Sequence, residues 1–234
     1  MSYWYHTESD GRPEQPLLLY LHGVRENAGD DVAQVTKHGP WLEGKHVKNA
    51  SVFDELRGFF RVGPHLPGEN DYWNADLLRE LILKIRRQHG VVAPDNLFVV
   101  GISRGGKGAL DFAVAHGKEL GINGVVVCCP QSVDNLSAAL DRTPIYLFHG
   151  DGDSIVLLNE AREREYANLS DRTNFRWVRV HQSRTLGQTH HNCWTHLFGH
   201  PDLYRWFIRL TEDPEYRNKK DLWPDFADLS LRAS

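Results

Sequence analysis

The chain has 234 residues, 41% of them hydrophobic and 25% charged, with a formal net charge of -4. That length and composition exclude a disordered chain and suit one globular domain with a sizeable core. The charge balance excludes a nucleic-acid surface, which needs a clustered basic excess, and no apolar run approaches the ~20 residues that span a bilayer. Glu8, Asp10, Arg12 and Glu14 interrupt the N-terminal stretch, so no secretory signal is expected and a cytoplasmic location is the default. Cys128, Cys129 and Cys193 are odd in number and include an adjacent pair. They read as reduced, buried thiols and not as a disulfide framework.

In chain order, Leu17–His22 is the first strong strand, after the polar segment Glu8–Pro16, and Phe59–Pro64 is the second. Ala75–Gln88 is an amphipathic helix. Leu77, Leu78, Leu81, Ile82 and Ile85 share one face, Asn74 caps the start and Gly90 marks the end. Leu97–Gly101, Gly124–Cys129, Ile145–His149 and Phe175–Val180 are further apolar runs, as expected of strands covered on both faces. Helices over Lys107–His116, Asn159–Leu169 and Asp202–Leu210 separate or follow them, the last entered through Pro201. The alternation predicts an α/β fold: a mostly parallel central sheet with helices on both faces and right-handed crossovers. Residues 1–234 are read as a single domain with its core at about 16–210. The polar extension 211–234 carries Leu222, Trp223 and Phe226, which are expected to pack on the same domain or on a partner.

The sharpest motif is Gly101-Ile102-Ser103-Arg104-Gly105, between the strand ending at Val100 and the next helix. A tight strand-to-helix turn of this kind needs small residues two positions either side of the serine. It lifts the hydroxyl above the sheet at a helix N-terminus. The Arg104 N–H is then placed to stabilise an oxyanion. A rival reading extends the run through Gly106-Lys107-Gly108, close to a phosphate-binding loop. Gly108 stands where that loop needs the Ser or Thr that holds Mg²⁺, which counts against a nucleotide hydrolase.

His149-Gly150-Asp151-Gly152-Asp153 ends a later strand, where functional groups of parallel sheets gather. Asp151 and Asp153 are both candidates for an acid that orients a histidine. His190-His191-Asn192-Cys193-Trp194 follows the last strand and completes the order Ser…Asp…His used by α/β-hydrolases. Leu21-His22-Gly23-Val24 follows the first strong strand, and the Val24 N–H is the candidate second oxyanion donor. His190, His191, His196 and His200 cluster with Cys193. Gly199 and the His200–Pro201 step break the helix that would align His196 with His200, so no metal site is expected.

Taken together, these motifs resemble those of compact α/β-hydrolases of the dienelactone-hydrolase and phospholipase/carboxylesterase branch. The nearest likeness is to esterases described as predicted peptidases or polyhydroxybutyrate-depolymerase-like. The resemblance spans about Pro16 to Leu210. It rests on Pro16-Leu17-Leu18-Leu19-Tyr20-Leu21-His22-Gly23, on Tyr72-Trp73, on Val99 to Gly106, on Phe148 to Asp153 and on His191-Asn192-Cys193-Trp194. It implies Ser103 as nucleophile, Asp153 as acid, His191 as base, and the Arg104 and Val24 N–H groups as the oxyanion hole. The chain departs from the family at Arg104, Arg25-Glu26-Asn27, His65 and Leu157; the Arg104 side chain is expected to be solvated.

Only 14 residues separate Cys129 from Pro144, so no cap domain is expected there. The site should be open and lined by Trp73, His65 and Trp194. The implied activity is cleavage of carboxylic ester or thioester bonds in small or polymeric acyl substrates, with no cofactor, no nucleic-acid partner and no membrane span; a homodimer is left open. A serine peptidase on the same triad and an inactive hydrolase-fold binding protein are the competing readings.

Overall fold

In the computed structural model, which describes residues 1–7, 14–24, 26, 32–41, 50–66, 72–90, 92–141, 143–181 and 190–226, seven strands build one sheet. They are β1 (Tyr3–His6), β2 (Gln15–Leu21), β3 (Phe60–Pro64), β4 (Val92–Ile102), β5 (Ile122–Cys128), β6 (Ile145–Gly150) and β7 (Phe175–Val180). Their order across the sheet is β1-β3-β2-β4-β5-β6-β7. Every neighbouring pair is parallel except β1 with β3. The antiparallel edge strand β1 had no expectation from the sequence: its four residues, two of them exposed, are too few to set a pattern.

The helices are α1 (Ala50–Arg57), α2 (Ala75–Gln88), α3 (Arg104–Leu120), α4 (Leu136–Leu140), α5 (Glu160–Leu169), α6 (Trp194–Phe198) and α7 (Pro201–Glu212). Asn74 caps α2 by accepting from the Leu77 N–H at 3.0 Å, and Asn159 caps α5 by accepting from the Arg162 N–H at 3.0 Å. His89, not Gly90, is the C-cap of α2. The third helix begins at Arg104, three residues before the expected start. The glycines that lower helix propensity there are required by the turn itself. Between β5 and β6 the described residues form only the short helix α4.

Two core layers follow from the two-residue period of buried strands. Leu17, Leu19, Val99, Val125, Val127 and Leu147 face the layer covered by α2 and α3. Leu18, Tyr20, Phe98, Val100, Val126, Tyr146 and Phe148 face the layer completed by α7 and the C-terminal segment. That segment packs on its own chain. Trp223 lies edge-on to Trp206 at 5.0 Å, and both Trp223 and Phe226 are buried, while Leu222 is exposed. Residues 227–234, with Arg25 and Asn27, lie outside the described residues. No helix among the described residues is long and apolar enough to cross a membrane.

The register brings five strand ends level. Leu21 pairs Gly101, Ile102 pairs Cys128, Cys128 pairs Phe148, and Gly150 pairs Val180. The residues that follow β2, β4, β5, β6 and β7 therefore share one edge of the sheet.

Candidate active site

Ser103 sits on that edge with φ 52° and ψ -116°, as the N-cap of α3. A positive φ in a serine costs about 1–3 kcal/mol and persists only when the surroundings enforce it. Here the backbone bonds do so. Its N–H donates to Cys128 O at 2.8 Å, and its carbonyl accepts from the Gly106 and Gln131 N–H groups at 3.0 Å each. The glycines either side are steric necessities. A Cβ on Gly101 would stand 2.2 Å from Gly105 O, and one on Gly105 would stand 1.9 Å from Leu21 O.

Farther along α3, a Cβ on Gly108 would stand 2.6 Å from Trp73. Gly108 is thus space for an indole, and Lys107 is held by Asp111 four residues on. Neither residue is arranged around a phosphate. Arg162 of α5 adds a clamp that no motif announced. It donates to the carbonyls of Pro130 and Gln131 at 2.8 Å each, tying the acid side of the site to the turn that holds Ser103.

Asp153 follows β6 in a turn that its own carboxylate organises. Oδ1 accepts from the Ile155 N–H at 2.9 Å and the Val156 N–H at 2.8 Å. Oδ2 accepts from Nδ1 of His191 at 2.7 Å. Asp151, the other candidate acid, instead pairs with His181 at 2.8 Å on the surface. A second histidine also approaches Asp153. His149 is fully buried, with Nε2 3.7 Å from Asp153 Oδ2. Its Nε2–H donates to Val156 O at 2.8 Å, and its Nδ1 accepts from the Tyr166 hydroxyl at 3.1 Å. His149 thereby braces the acid turn from below.

The two histidines differ in charge preference. Burial disfavours an imidazolium at both. At His191 the hydrogen bond to Asp153, helped by the Cys129 thiol, outweighs burial and carries the pKa up to about 9. At His149 burial dominates and the pKa falls below the usual histidine value. Burial also opposes the Asp153 carboxylate, yet the bonds from His191 and the Val156 and Ile155 N–H groups hold it below the ordinary range. The Nδ1–H of His191 is committed to Asp153, which leaves Nε2 as the proton acceptor of the neutral ring. No hydrogen bond joins the Ser103 hydroxyl to His191 among the described residues.

His190 is used differently from its neighbour. It has φ 52°, and its carbonyl lies 2.4 Å from where a Cβ on Gly150 would be. Its ring packs against Gly152. His196 lies in α6 while His200 is the N-cap of α7, so the two stand on separate elements.

The loop after β2 is set by two buried groups. His22 donates from Nδ1 to Gly23 O at 2.8 Å and accepts the Leu66 N–H on Nε2 at 3.1 Å. Burial lowers its pKa to about 4, so it stays neutral. The Glu26 carboxyl accepts from the Tyr20 hydroxyl at 2.9 Å and from the Gly23 N–H at 3.4 Å, and burial lifts its pKa to about 8. A Cβ on Gly23 would stand 3.2 Å from Ser103 Cβ, which measures how closely this loop approaches the serine.

Three lining residues and one solvated arginine were expected; the structure revises the arginine and shows all three lining residues largely buried. Trp73, His65 and Trp194 are 6%, 2% and 6% exposed. Trp73 fills the gap over Gly108 and donates Nε1–H to His22 O at 3.1 Å. Trp194 stands edge-on to the His191 ring at 5.3 Å. They brace the site, and the exposed apolar side chains on its loops are Val24, Tyr72, Ile155 and Leu157. The Arg104 side chain is buried, beside His22, because the first turn of α3 is covered by the loops after β2 and β3.

The same arrangement of strands recurs in solved structures. The chain superposes on a thermostable esterase with TM-score 0.66 and 19% identity, over 88% of this chain and 58% of that one. It therefore spans little more than half the length of that protein. It also matches Est1E from Butyrivibrio proteoclasticus (TM-score 0.57, 14% identity, 90% and 94% covered). A sugar hydrolase from Lactococcus lactis matches at TM-score 0.55 and 13% identity, with 92% and 96% covered. The chain has the α/β-hydrolase fold. No protein-family model matches the chain, and no curated protein matches it in sequence. Identities this low bear on the fold, and function has to be argued from the site.

Proposed function

We propose that this protein is a serine hydrolase that cleaves carboxylic ester or thioester bonds through an acyl-enzyme. The observation that supports it is a serine held at φ 52° on the sheet edge that also carries a hydrogen-bonded Asp153–His191 pair. In this reading Ser103 Oγ attacks the acyl carbon while His191 Nε2 takes its proton. Asp153 keeps the other ring proton on Nδ1 and stabilises the imidazolium. The N–H groups of Arg104 and Val24 receive the oxyanion. His191 then protonates the leaving group and activates the water that releases the acid. Ser103 and His191 close on each other as substrate arrives, as catalytic pairs that are loose without substrate commonly do. The motif resemblance favours the dienelactone-hydrolase and carboxylesterase branch over a peptidase. The exposed Val24, Tyr72, Ile155 and Leu157 suit an apolar part of the ester.

The test is labelling with a fluorophosphonate probe together with a panel of p-nitrophenyl and hydroxycinnamoyl esters. Ser103 should carry the label and at least one ester should turn over. A protein that neither takes the label nor hydrolyses any ester would overturn the reading.

A further inference from the structure

Behind His191 the fold gathers two thiols that ester cleavage does not use. Cys129 follows β5 with φ 44°, a conformation that non-glycine residues seldom adopt. Cys193 lies two residues after His191, and both thiols are fully buried. Their sulfur atoms are 3.3 Å apart. Cys129 Sγ, an Asp153 carboxylate oxygen and an imidazole nitrogen of His191 all lie within 4.8 Å of one another. One sulfur, one nitrogen and one oxygen thus converge from the loops after β5, β6 and β7, and Cys193 Sγ adjoins them through Cys129, outside that 4.8 Å group. This group shares His191 and Cys193 with the cluster that the sequence had raised, but includes none of His190, His196 and His200.

We propose that Cys129, Cys193, Asp153 and His191 form an inhibitory site for a thiophilic divalent cation, Zn²⁺ before others. Zinc takes four ligands of these types, at about 2.3 Å from sulfur and about 2.0–2.2 Å from nitrogen and oxygen. A tetrahedron of that size sets ligand–ligand spacings of roughly 3.3–3.8 Å. The sulfur pair at 3.3 Å and the Nδ1···Oδ2 pair at 2.7 Å need small openings to admit the ion, and the Cys193 side chain must turn in from outside the 4.8 Å group to become the fourth ligand. The ion sheds its waters and each coordinated thiol releases its proton to solvent, with no change of oxidation state. An ion shared with Asp153 takes Nδ1, the nitrogen that faces it. The one remaining ring proton then resides on Nε2. Such a ring cannot accept the Ser103 proton, so hydrolysis stops while Ser103 stays chemically intact. This consequence rests on His191 being the base; the binding itself does not. Because the ligands are buried, loading should be slow.

The test uses the full chain, freed of metal and treated with ZnCl₂ or, separately, CoCl₂. One ion per chain should survive desalting, and cobalt should give a thiolate charge-transfer absorption. Hydrolysis of an activated ester should fall with time of exposure to ZnCl₂ and return with EDTA, while EDTA alone leaves the metal-free rate unchanged. Ser103→Ala should bind the ion with the same stoichiometry, which keeps this result independent of whether Ser103 is the nucleophile. Cys193→Ser, with Cys193→Ala as a second variant in case it fails to fold, should keep basal hydrolysis, while Cys129→Ser, whose thiol bonds His191, is compared with its own metal-free rate. Each should raise the half-inhibitory ZnCl₂ concentration roughly tenfold or more and lose the cobalt absorption. Unchanged zinc sensitivity in these variants, or no bound ion in the Ser103→Ala protein, overturns the proposal.

Discussion

The serine half of the site, at the ends of β2 and β4, is positioned by backbone geometry, whereas the acid–histidine half, at the ends of β6 and β7, is positioned by side-chain hydrogen bonds. Ser103 owes its placement to three backbone bonds and to glycines whose absent Cβ atoms leave room. Asp153 owes its placement to a carboxylate that accepts from Ile155, Val156 and His191. The difference teaches where each half is vulnerable. The serine half fails when atoms are added, and the acid–histidine half fails when polar atoms are removed or their protons change.

The largest expected effect joins the halves. Ser103→Ala and His191→Ala should each lower kcat on the order of 10⁴-fold, and the double variant should be little worse than either, because a triad acts as a unit. Ester kinetics on purified variants with unchanged circular dichroism check this, and losses that multiply would show that the halves work separately.

Next comes the steric half alone. Gly105→Ala places a Cβ 1.9 Å from the Leu21 carbonyl, a backbone atom that cannot swing aside. Its loss in urea unfolding should reach or exceed the upper end of the ~0.5–3 kcal/mol usual for point variants. Gly90→Ala meets nothing within 4 Å and should cost no more than a typical surface change.

The third effect is one of protons. A base must be neutral to act, so kcat/KM should rise with pH along a limb displaced above the ordinary histidine value towards about 9. Stability should carry opposite signs in the two halves. The raised His191 pKa contributes stability that is present below pH 6.5 and is lost as pH rises through about 9. The His22 pKa, depressed to about 4, contributes stability that is present above pH 6.5 and is lost as pH falls towards 4. That His22 contribution is on the order of 3 kcal/mol. Melting temperatures across this range for wild type and for His22 and His191 variants separate the two.

The smallest effect tests the neighbouring histidine. His190→Ala removes only packing against Gly152 and should change kcat/KM less than roughly threefold. A dead His190 variant beside an active His191 variant would move the base by one residue.

Much of this was legible in order along the chain. Apolar runs announced six of the seven strands: β2 and β5 are buried along their whole length and leave no polar alternation, whereas the edge strand β7 carries Arg176 and Arg179 and is buried only at its ends. The helix from Ala75 to Gln88 was legible down to its Asn74 cap, since capping is a local hydrogen bond. The Gly-x-Ser-x-Gly spacing marked Ser103 because the turn's own sterics demand it. β1, α1, α4 and α6 were not legible, being short elements whose stability comes from what they pack on. On residue grounds Asp151 and Asp153 were equal candidates; in the structure Asp151 pairs with His181 and Asp153 with His191.

By itself the sequence determined which residues could do chemistry and which strand ends would carry them, because turn sterics, capping and apolar runs are local properties. Tertiary structure alone decided how those residues are served. Sequence spacing gave no sign that His149 would brace the acid turn through Tyr166 and Val156. Nor did it show that Arg162 would reach Pro130 and Gln131, that Trp73 would fill the space over Gly108, or that the Arg104 side chain would be buried. Least of all did it show that Cys129 and Cys193, 64 residues apart, would meet behind His191. Such contacts join elements that only the sheet order brings together, so their distances are set by packing across strands and not by any pattern along one of them.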